Sequence, residues 1–293
     1  MNLAGLDLNL MVSLDALLQQ RSVTRAAAAM GLSQPTLSGS LARLRRHFDD
    51  ELLTRVGNDY RLTPLAVQLK ELVRIALGGA ERVFAAQPDF DPASSTREFT
   101  LLVSDYAAVI LGQTIARVLT TEAPHTRLRL SAHSPAVIER AEQALLSADL
   151  LLLPHGFVTD LSHHDLYRDD WVCIVADGNP VAERALTVAD LEVMPWVVTY
   201  HGQTASTPAA RQMRMLGIEP RIQVVVENFL AVPALVAGSD RIALLQQRLL
   251  DRLPLNSGIR ALPLPFDAAP LIEAMWWHPV YNDDPEHGYL RKV

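Results

Sequence analysis

Residues 7–64, DLNLMVSLDALLQQRSVTRAAAAMGLSQPTLSGSLARLRRHFDDELLTRVGNDYRLTP, decide the fold of this chain. Over residues 7–20 apolar side chains recur at helical spacing (Leu8, Met11, Val12, Leu14, Leu17, Leu18), which predicts an amphipathic helix. Thr24 is placed to cap a second helix over 25–30 with an alanine-rich inner face. Gly31 ends that helix, because glycine accepts left-handed backbone, and Leu32 is expected to fill the turn. Ser33 caps a third helix with Pro35 in its first turn, where a missing N–H costs little. Leu37, Leu41 and Leu44 then face inward at i, i+4 and i+7. Two helices joined by a short Gly-containing turn make a helix-turn-helix. The third helix exposes Gln34, Thr36, Ser38, Ser40, Arg43 and Arg45. Short polar groups at its start suit base edges in a major groove, and the arginines suit phosphates. An ordinary helical hairpin with a solvated face shares this pattern, so the flanking sequence carries the decision.

That sequence favours DNA. Residues 51–55 and 60–64 are strand-like runs around Val56-Gly57-Asn58-Asp59, whose Gly57 and Asn58 favour a tight turn. This is a wing, with Arg55 and Arg61 placed to reach a DNA backbone. Thr63-Pro64 opens another helix that runs to about residue 86. Its Leu65, Leu69, Leu72, Ala76, Gly79, Val83 and Ala86 alternate four and three apart, a heptad seam that predicts association between helices of two chains. One amphipathic helix packed on its own domain has the same spacing, and spacing alone does not separate the two. Gly78-Gly79 weakens the helix locally or allows close approach.

Residues 7–64 resemble the LysR-type transcriptional regulators in the order of their parts: helix lengths, the turn glycine, the Ser-Gln-Pro entry to the third helix, the wing, and the "RLTPLA" that begins the linker helix. The resemblance implies a homodimer or homotetramer that binds an interrupted inverted repeat in double-stranded DNA near a promoter, bends it, and works on RNA polymerase in response to a small molecule. Carried over by position, the base-proximal residues are Gln34, Pro35 and Ser38, helped by Arg43, Arg45 and the wing's Arg55. Thr24, Ser33 and Arg61 complete the expected DNA-binding set. One departure matters: many members have Arg or Asn directly after the serine matched by Ser38, where this chain has Gly39.

Residues 87–96, QPDFDPASST, form a polar, Pro-containing hinge. Beyond it strands and helices alternate. Strands are expected at 98–103, 127–132 and 149–153, with helices over 105–121 and 135–147. A second unit starts at Trp171 with strands at 171–176, 196–200, 222–227 and 242–245 and helices after Pro208 and Asn228. A strand at 271–278 returns to the first unit and leads to a short terminal helix. Such alternation predicts α/β structure with largely parallel sheets. The expected whole is an α+β multidomain chain: a winged helix-turn-helix over 1–64, a long linker helix and hinge over 65–90, and a two-lobed α/β, periplasmic-binding-protein-like effector domain over 91–293. Lobe I takes about 91–168 and 266–293, and lobe II about 169–265.

In such folds ligands sit at strand carboxyl ends, facing helix N-termini. Four corners qualify: Ser104-Asp105-Tyr106, Ser134-Pro135, Thr199-Tyr200-His201 and the Asn228-Phe229 that follows Glu227. His155 is a further candidate wall residue. Each of these residues also suits plain capping or a loop. The tail "MWWHPVYNDDPEHGYLRKV" and the run "VPALVAGSDRIALL" resemble the branch of the family that holds nodulation and salicylate-type regulators, although Val280 stands where that branch usually has Arg. The resemblance suggests an aromatic or phenolic effector, stacked on Tyr106, Tyr200 and Phe229 and oriented by Ser134, Thr199 and His201.

Composition fits this picture. The 293 residues are 49% hydrophobic and 20% charged, as expected of packed globular domains. The net charge of −7 argues against a protein that coats nucleic acid, but it is unevenly spread. The first 64 residues hold seven arginines (21, 25, 43, 45, 46, 55 and 61) against six acids, so a local basic face sits within an acidic chain. Cys173 lies in an apolar run and reads as a small core residue; one cysteine and a start without Lys or Arg fit the cytoplasm, and no run suits a membrane span. No Gly-x-Ser-x-Gly, His-Glu-x-x-His, phosphate-binding loop or cysteine pair is present, so neither an enzyme nor a bound metal or other cofactor is expected. His125, His133 and His163-His164 lack ligand spacing and read as surface residues. A solute-binding transport module and a regulator with a silent cleft are the remaining alternatives.

Overall fold

A computed structural model describes residues 7, 9–57, 59–85, 90–200, 207–254 and 257–293. The chain divides into two compact units, 1–88 and 89–293. The first is built from α1 (Asn9–Gln20), α2 (Val23–Met30), α3 (Gln34–Phe48), β1 (Leu53–Val56), β2 (Asp59–Leu62) and α4 (Pro64–Ala85). Its core joins Leu14, Leu17 and Leu18 of α1, Ala26 and Ala27 of α2, and Leu37, Leu41 and Leu44 of α3 with Ala66 and Val73 of α4. Val12 points outward at 45% exposure, and Leu32 is 40% exposed instead of filling the turn. Leu8, expected on the inward face of the first helix, lies outside the described residues.

Local chemistry sets the helix ends. Ser22, not Thr24, caps α2: its Oγ accepts the Arg25 N–H at 3.3 Å, and Thr24 lies within the helix. Gly31 closes α2 at φ 64°, left-handed backbone with no cost to glycine. Ser33 caps α3 as expected, accepting from the Thr36 N–H at 3.2 Å. Asp50 ties the wing to the linker: Oδ1 accepts from the Leu52 N–H and the Thr63 hydroxyl, both at 2.6 Å, while Thr63 Oγ1 caps α4 by accepting from the Ala66 N–H.

The second unit holds two five-stranded sheets. The first contains β3 (Glu98–Val103), β4 (Arg127–Ala132), β5 (Leu150–Pro154), β6 (Ser162–Asp169) and β12 (Leu271–Trp277), in the order β4-β3-β5-β12-β6. The second contains β7 (Trp171–Ala176), β8 (Pro195–Thr199), β9 (Arg221–Val226), β10 (Ile242–Gln246) and β11 (Ile259–Leu262), in the order β11-β7-β10-β8-β9. The sheets are mixed, not largely parallel. β3 runs parallel to β4 and β5, and β8 to β9 and β10, but β12 is antiparallel to β5 and β6, and β7 to β10 and β11. The chain crosses between sheets at Asp169–Trp171 in sequence and returns through β12, so each sheet includes a strand that cannot run with its neighbours.

Helices α5 (Asp105–Glu122), α6 (Pro135–Glu139), α7 (Ala141–Ala144), α8 (Val188–Val193), α9 (Pro208–Met215), α10 (Val232–Val236), α11 (Gln247–Leu250) and α12 (Pro285–Leu290) cover these sheets. The helix expected over 135–147 is broken at Arg140, whose φ of −121° leaves helical space. Cys173 is fully buried, as its apolar run implied, and burial pushes its thiol up to about 12. Among the described residues, no helix is long and apolar enough to cross a membrane.

Candidate functional site

The first unit presents the exposed face of α3 beside a two-stranded wing. Gln34, Pro35, Thr36, Ser38 and Gly39 are exposed at the start of α3, and Arg43 and Arg46 along it. Ser40 is buried, since it falls between Leu37, Leu41 and Leu44 on the inward face. Arg45, expected to reach phosphate, is otherwise engaged. Its Nε donates to the Glu51 carbonyl at 2.8 Å, its Nη2 donates to the Leu53 carbonyl at 3.0 Å, and it lies 3.0 Å from the Glu51 carboxylate. It therefore clamps the end of α3 to the start of the wing. Arg43 makes a long, exposed contact of 3.5 Å with Asp7, of the kind that contributes little and yields readily to phosphate. β1 and β2 pair antiparallel, bringing Arg55 opposite Tyr60 and Arg61 opposite Thr54; both arginines are exposed. Arg55 Nε donates to the Gly57 carbonyl at 3.1 Å across the turn, while Asn58 lies outside the described residues.

The second unit contains a small, partly open cavity of about 60 Å³ between its two sheets. Five expected residues line it: Ser104, Tyr106, Pro135, Tyr200 and Phe229. Five others do not. Asp105 Oδ2 accepts the Leu230 N–H at 2.7 Å, Asn228 Oδ1 accepts the Ala231 N–H at 2.9 Å, and exposed Ser134 caps α6. Thr199 is buried beside a neighbouring hollow behind β8, and His155 turns to Asp165. His201 lies outside the described residues.

The walls are aromatic. Phe229 sits at the centre, with ring centroids of Tyr200, Tyr106 and Trp171 at 5.9, 6.2 and 6.4 Å, and Phe157 closes another side. Tyr106 is pinned because its hydroxyl donates to Asp169 Oδ2 at 2.5 Å, and Asp169 Oδ1 accepts from the Asp170 N–H. Burial holds the Tyr106 phenol far above its ordinary range.

Four polar lining residues were not anticipated: His133, Thr207, Gln246 and Glu273. His133 is half-buried, not a surface residue, and desolvation lowers its pKa. Gln246 is fully buried, and neither its amide oxygen nor its nitrogen has a hydrogen-bond partner among the described residues. Glu273 is 1% exposed with both carboxyl oxygens unpartnered. Burial, and secondarily the charge of Asp169, pushes its pKa up to about 8, so it is largely protonated at neutral pH and can both donate and accept. It stands beside a bulge in the β6–β12 pairing, between Glu273 and Ala274. His133 Nε2 and Trp171 Nε1 are unpartnered too. Each buried polar group without a partner costs about 1–3 kcal/mol, so this cavity holds hydrogen-bonding capacity that an occupant can satisfy. The available cues were a lone Glu in the apolar run Leu271-Ile272-Glu273-Ala274-Met275 and a Gln closing Ile242-Ala243-Leu244-Leu245.

Comparison with known proteins agrees with both halves. Residues 8–66 match the model of the bacterial regulatory helix-turn-helix proteins of the lysR family, and residues 92–284 match the LysR substrate binding domain. Nodulation protein D 2 of Rhizobium tropici is 32% identical over 297 residues, covering 100% of this chain and 93% of that relative. A probable transcriptional regulator of Pseudomonas aeruginosa, PA0477, is 26% identical with a TM-score of 0.73, covering 99% of this chain and 98% of the other. Full-length CbnR, solved with its target DNA, shares the fold at 16% identity and a TM-score of 0.69, with 97% of each chain covered.

Proposed function

The chain belongs to the LysR family of bacterial DNA-binding transcription regulators, which are not enzymes, and from that premise we propose that it reads inverted-repeat operator DNA with α3 and answers to an aromatic, hydrogen-bonding effector held in the cleft of its second unit. The observation that carries the effector reading is the pairing of aromatic walls with unpartnered, fully buried Gln246 and Glu273. Aromatic rings bury a flat apolar ligand well, and the two buried polar side chains demand a ligand edge that donates and accepts. The protonated carboxyl of Glu273 selects a hydroxyl or carbonyl over a carboxylate, because an anion there would raise the cost of any residual ionisation.

On the DNA side, Gln34 and Ser38 read base edges, and Arg43, Arg46, Arg55 and Arg61 bind phosphates. Thr24, Ser33 and Pro35 set the start of α3 against the backbone. Arg45 supports the wing. Two copies pair through the outward stripe of α4, where Leu72 and Val83 are 51% and 72% exposed. Effector binding bridges the two sheets and changes the preferred arrangement of the paired DNA-binding units, with consequences for polymerase at the promoter. The cytoplasm is where such a protein would work.

A thermal-shift and calorimetric screen of hydroxylated aromatics against aliphatic acids of similar size tests the effector reading. A phenolic ligand should raise the melting temperature of the wild type and lose most of its effect in Gln246→Leu. Preference for a purely aliphatic carboxylate would overturn the proposal.

A further inference from the structure

The fold assembles a second polar cluster that lies apart from the lining of the cleft. His155, directly after β5, and His163 and Asp165 on β6 each bring one ligand atom to within 4.8 Å of the others. β12 runs between them. Its Trp276 is paired with His163 and packs against both imidazoles, at 4.6 Å from His163 and 5.2 Å from His155, while the small Ala274 stands opposite Asp165. His163 and Asp165 lie two residues apart on one strand and so share a sheet face; His164 takes the other. We propose that His155, His163 and Asp165 form a binding site for a divalent first-row transition metal ion.

Three features support this. Two imidazoles and one carboxylate are the donor set that zinc and its neighbours prefer, and a solvent-facing side leaves room for water to complete the shell. The Leu161 carbonyl accepts from His163 Nδ1 at 3.3 Å, the outer hydrogen bond that commonly fixes a metal-ligating ring and leaves its other nitrogen a lone pair. His155 Nε2 already lies 2.6 Å from Asp165 Oδ1, and a metal would replace that shared hydrogen bond with two ligand bonds. Zinc ligands stand about 2.0–2.2 Å from the ion and so about 3.5 Å from one another. The three ligand atoms lie within 4.8 Å of one another, so closing on an ion needs only a small inward movement, which the exposed Asp165 carboxylate is placed to make.

The position gives such a site a consequence. The next residue, Gly156, accepts Arg211 Nη1 from α9 at 2.7 Å through its carbonyl, and Phe157 lies 4.3 Å beneath the Arg211 guanidinium and lines the cleft. An ion on His155 would therefore fix the segment that joins the first sheet to the helix over the second.

Zinc itself is the probe. The full chain, stripped with chelator, is titrated with ZnCl2 against a competing chromophoric chelator, alongside His163→Gln, Asp165→Asn and His164→Gln. The proposal expects one saturable zinc per chain, weakened about tenfold to 100-fold or more in His163→Gln and Asp165→Asn and unchanged in His164→Gln. Zinc should also raise the melting temperature of the wild type but not of His163→Gln, while the two metal-free proteins melt alike. No saturable zinc in the wild type, or equal affinity in all four proteins, would overturn it.

Discussion

At the scale of single residues, the two arginines near the end of α3 have different duties. Arg45 is spent on the carbonyls of Glu51 and Leu53, whereas Arg46 is exposed on the same turn. Replacing Arg46 with Ala should leave stability unchanged and lower the salt slope of DNA binding by about one. Arg45→Ala should instead cost about 1–2 kcal/mol of stability and weaken binding to all DNA sequences alike, because the wing loses its anchor. Denaturant titration together with anisotropy separates the two. Glu273 provides a pH signature. Its carboxyl is raised in the folded state, so the folded protein holds a proton that the unfolded chain has released. Stability from this group is fully present below the ordinary Glu range and is lost as pH rises to about 8. The loss should reach about 1.4 kcal/mol per pH unit within that window, and Glu273→Gln should flatten it in melts between pH 5 and 9.

At the scale of elements, the heptad seam of α4 is divided between a face packed on its own core and an exposed face. Ala66 and Val73, with Leu69 and Leu77 beside them, pack on the helix-turn-helix core, while Leu72 and Val83 point away. Leu72→Asp should therefore leave the fold intact and shift the protein toward monomer in analytical ultracentrifugation. An unchanged mass would remove α4 from the proposed pairing. Elements with one repeating buried face were legible in the sequence: α1, α3 and β3 stand within a residue or two of where their apolar periods placed them. β6, with the sequence Ser-His-His-Asp-Leu-Tyr-Arg-Asp, was not, because an edge strand with one wet face carries almost no hydrophobic period. Caps were harder still. Ser22 and Thr24 are both good cap residues two positions apart, and only the extended backbone at Ser22 (φ −161°) decides between them.

At the scale of the whole molecule, a DNA-binding unit and an effector-binding domain share one chain, and the cavity proposed to hold the effector is only half legible in the sequence. Its aromatic walls follow strand and helix ends that sequence can place. Gln246 and Glu273 come from β10 and β12 in different sheets, and nothing but the returning strand brings them to one cavity. The same holds for His155 and His163, whose eight-residue separation fits no ligand motif until β12 is set between their strands. If an effector bridges the sheets, small-angle scattering of the effector-saturated protein should differ from that of the free protein, and an identical profile would argue against closure as the signal.

Whether the exposed face of α3 reads DNA sequence is tested by fluorescence anisotropy on the duplex upstream of the protein's own gene, with random duplex as competitor and salt as the variable. Specific binding that falls with salt is expected, with a loss of about 1–3 kcal/mol of sequence discrimination in Gln34→Ala and an unchanged salt slope. Equal affinity of Gln34→Ala and wild type for specific over random duplex would contradict it.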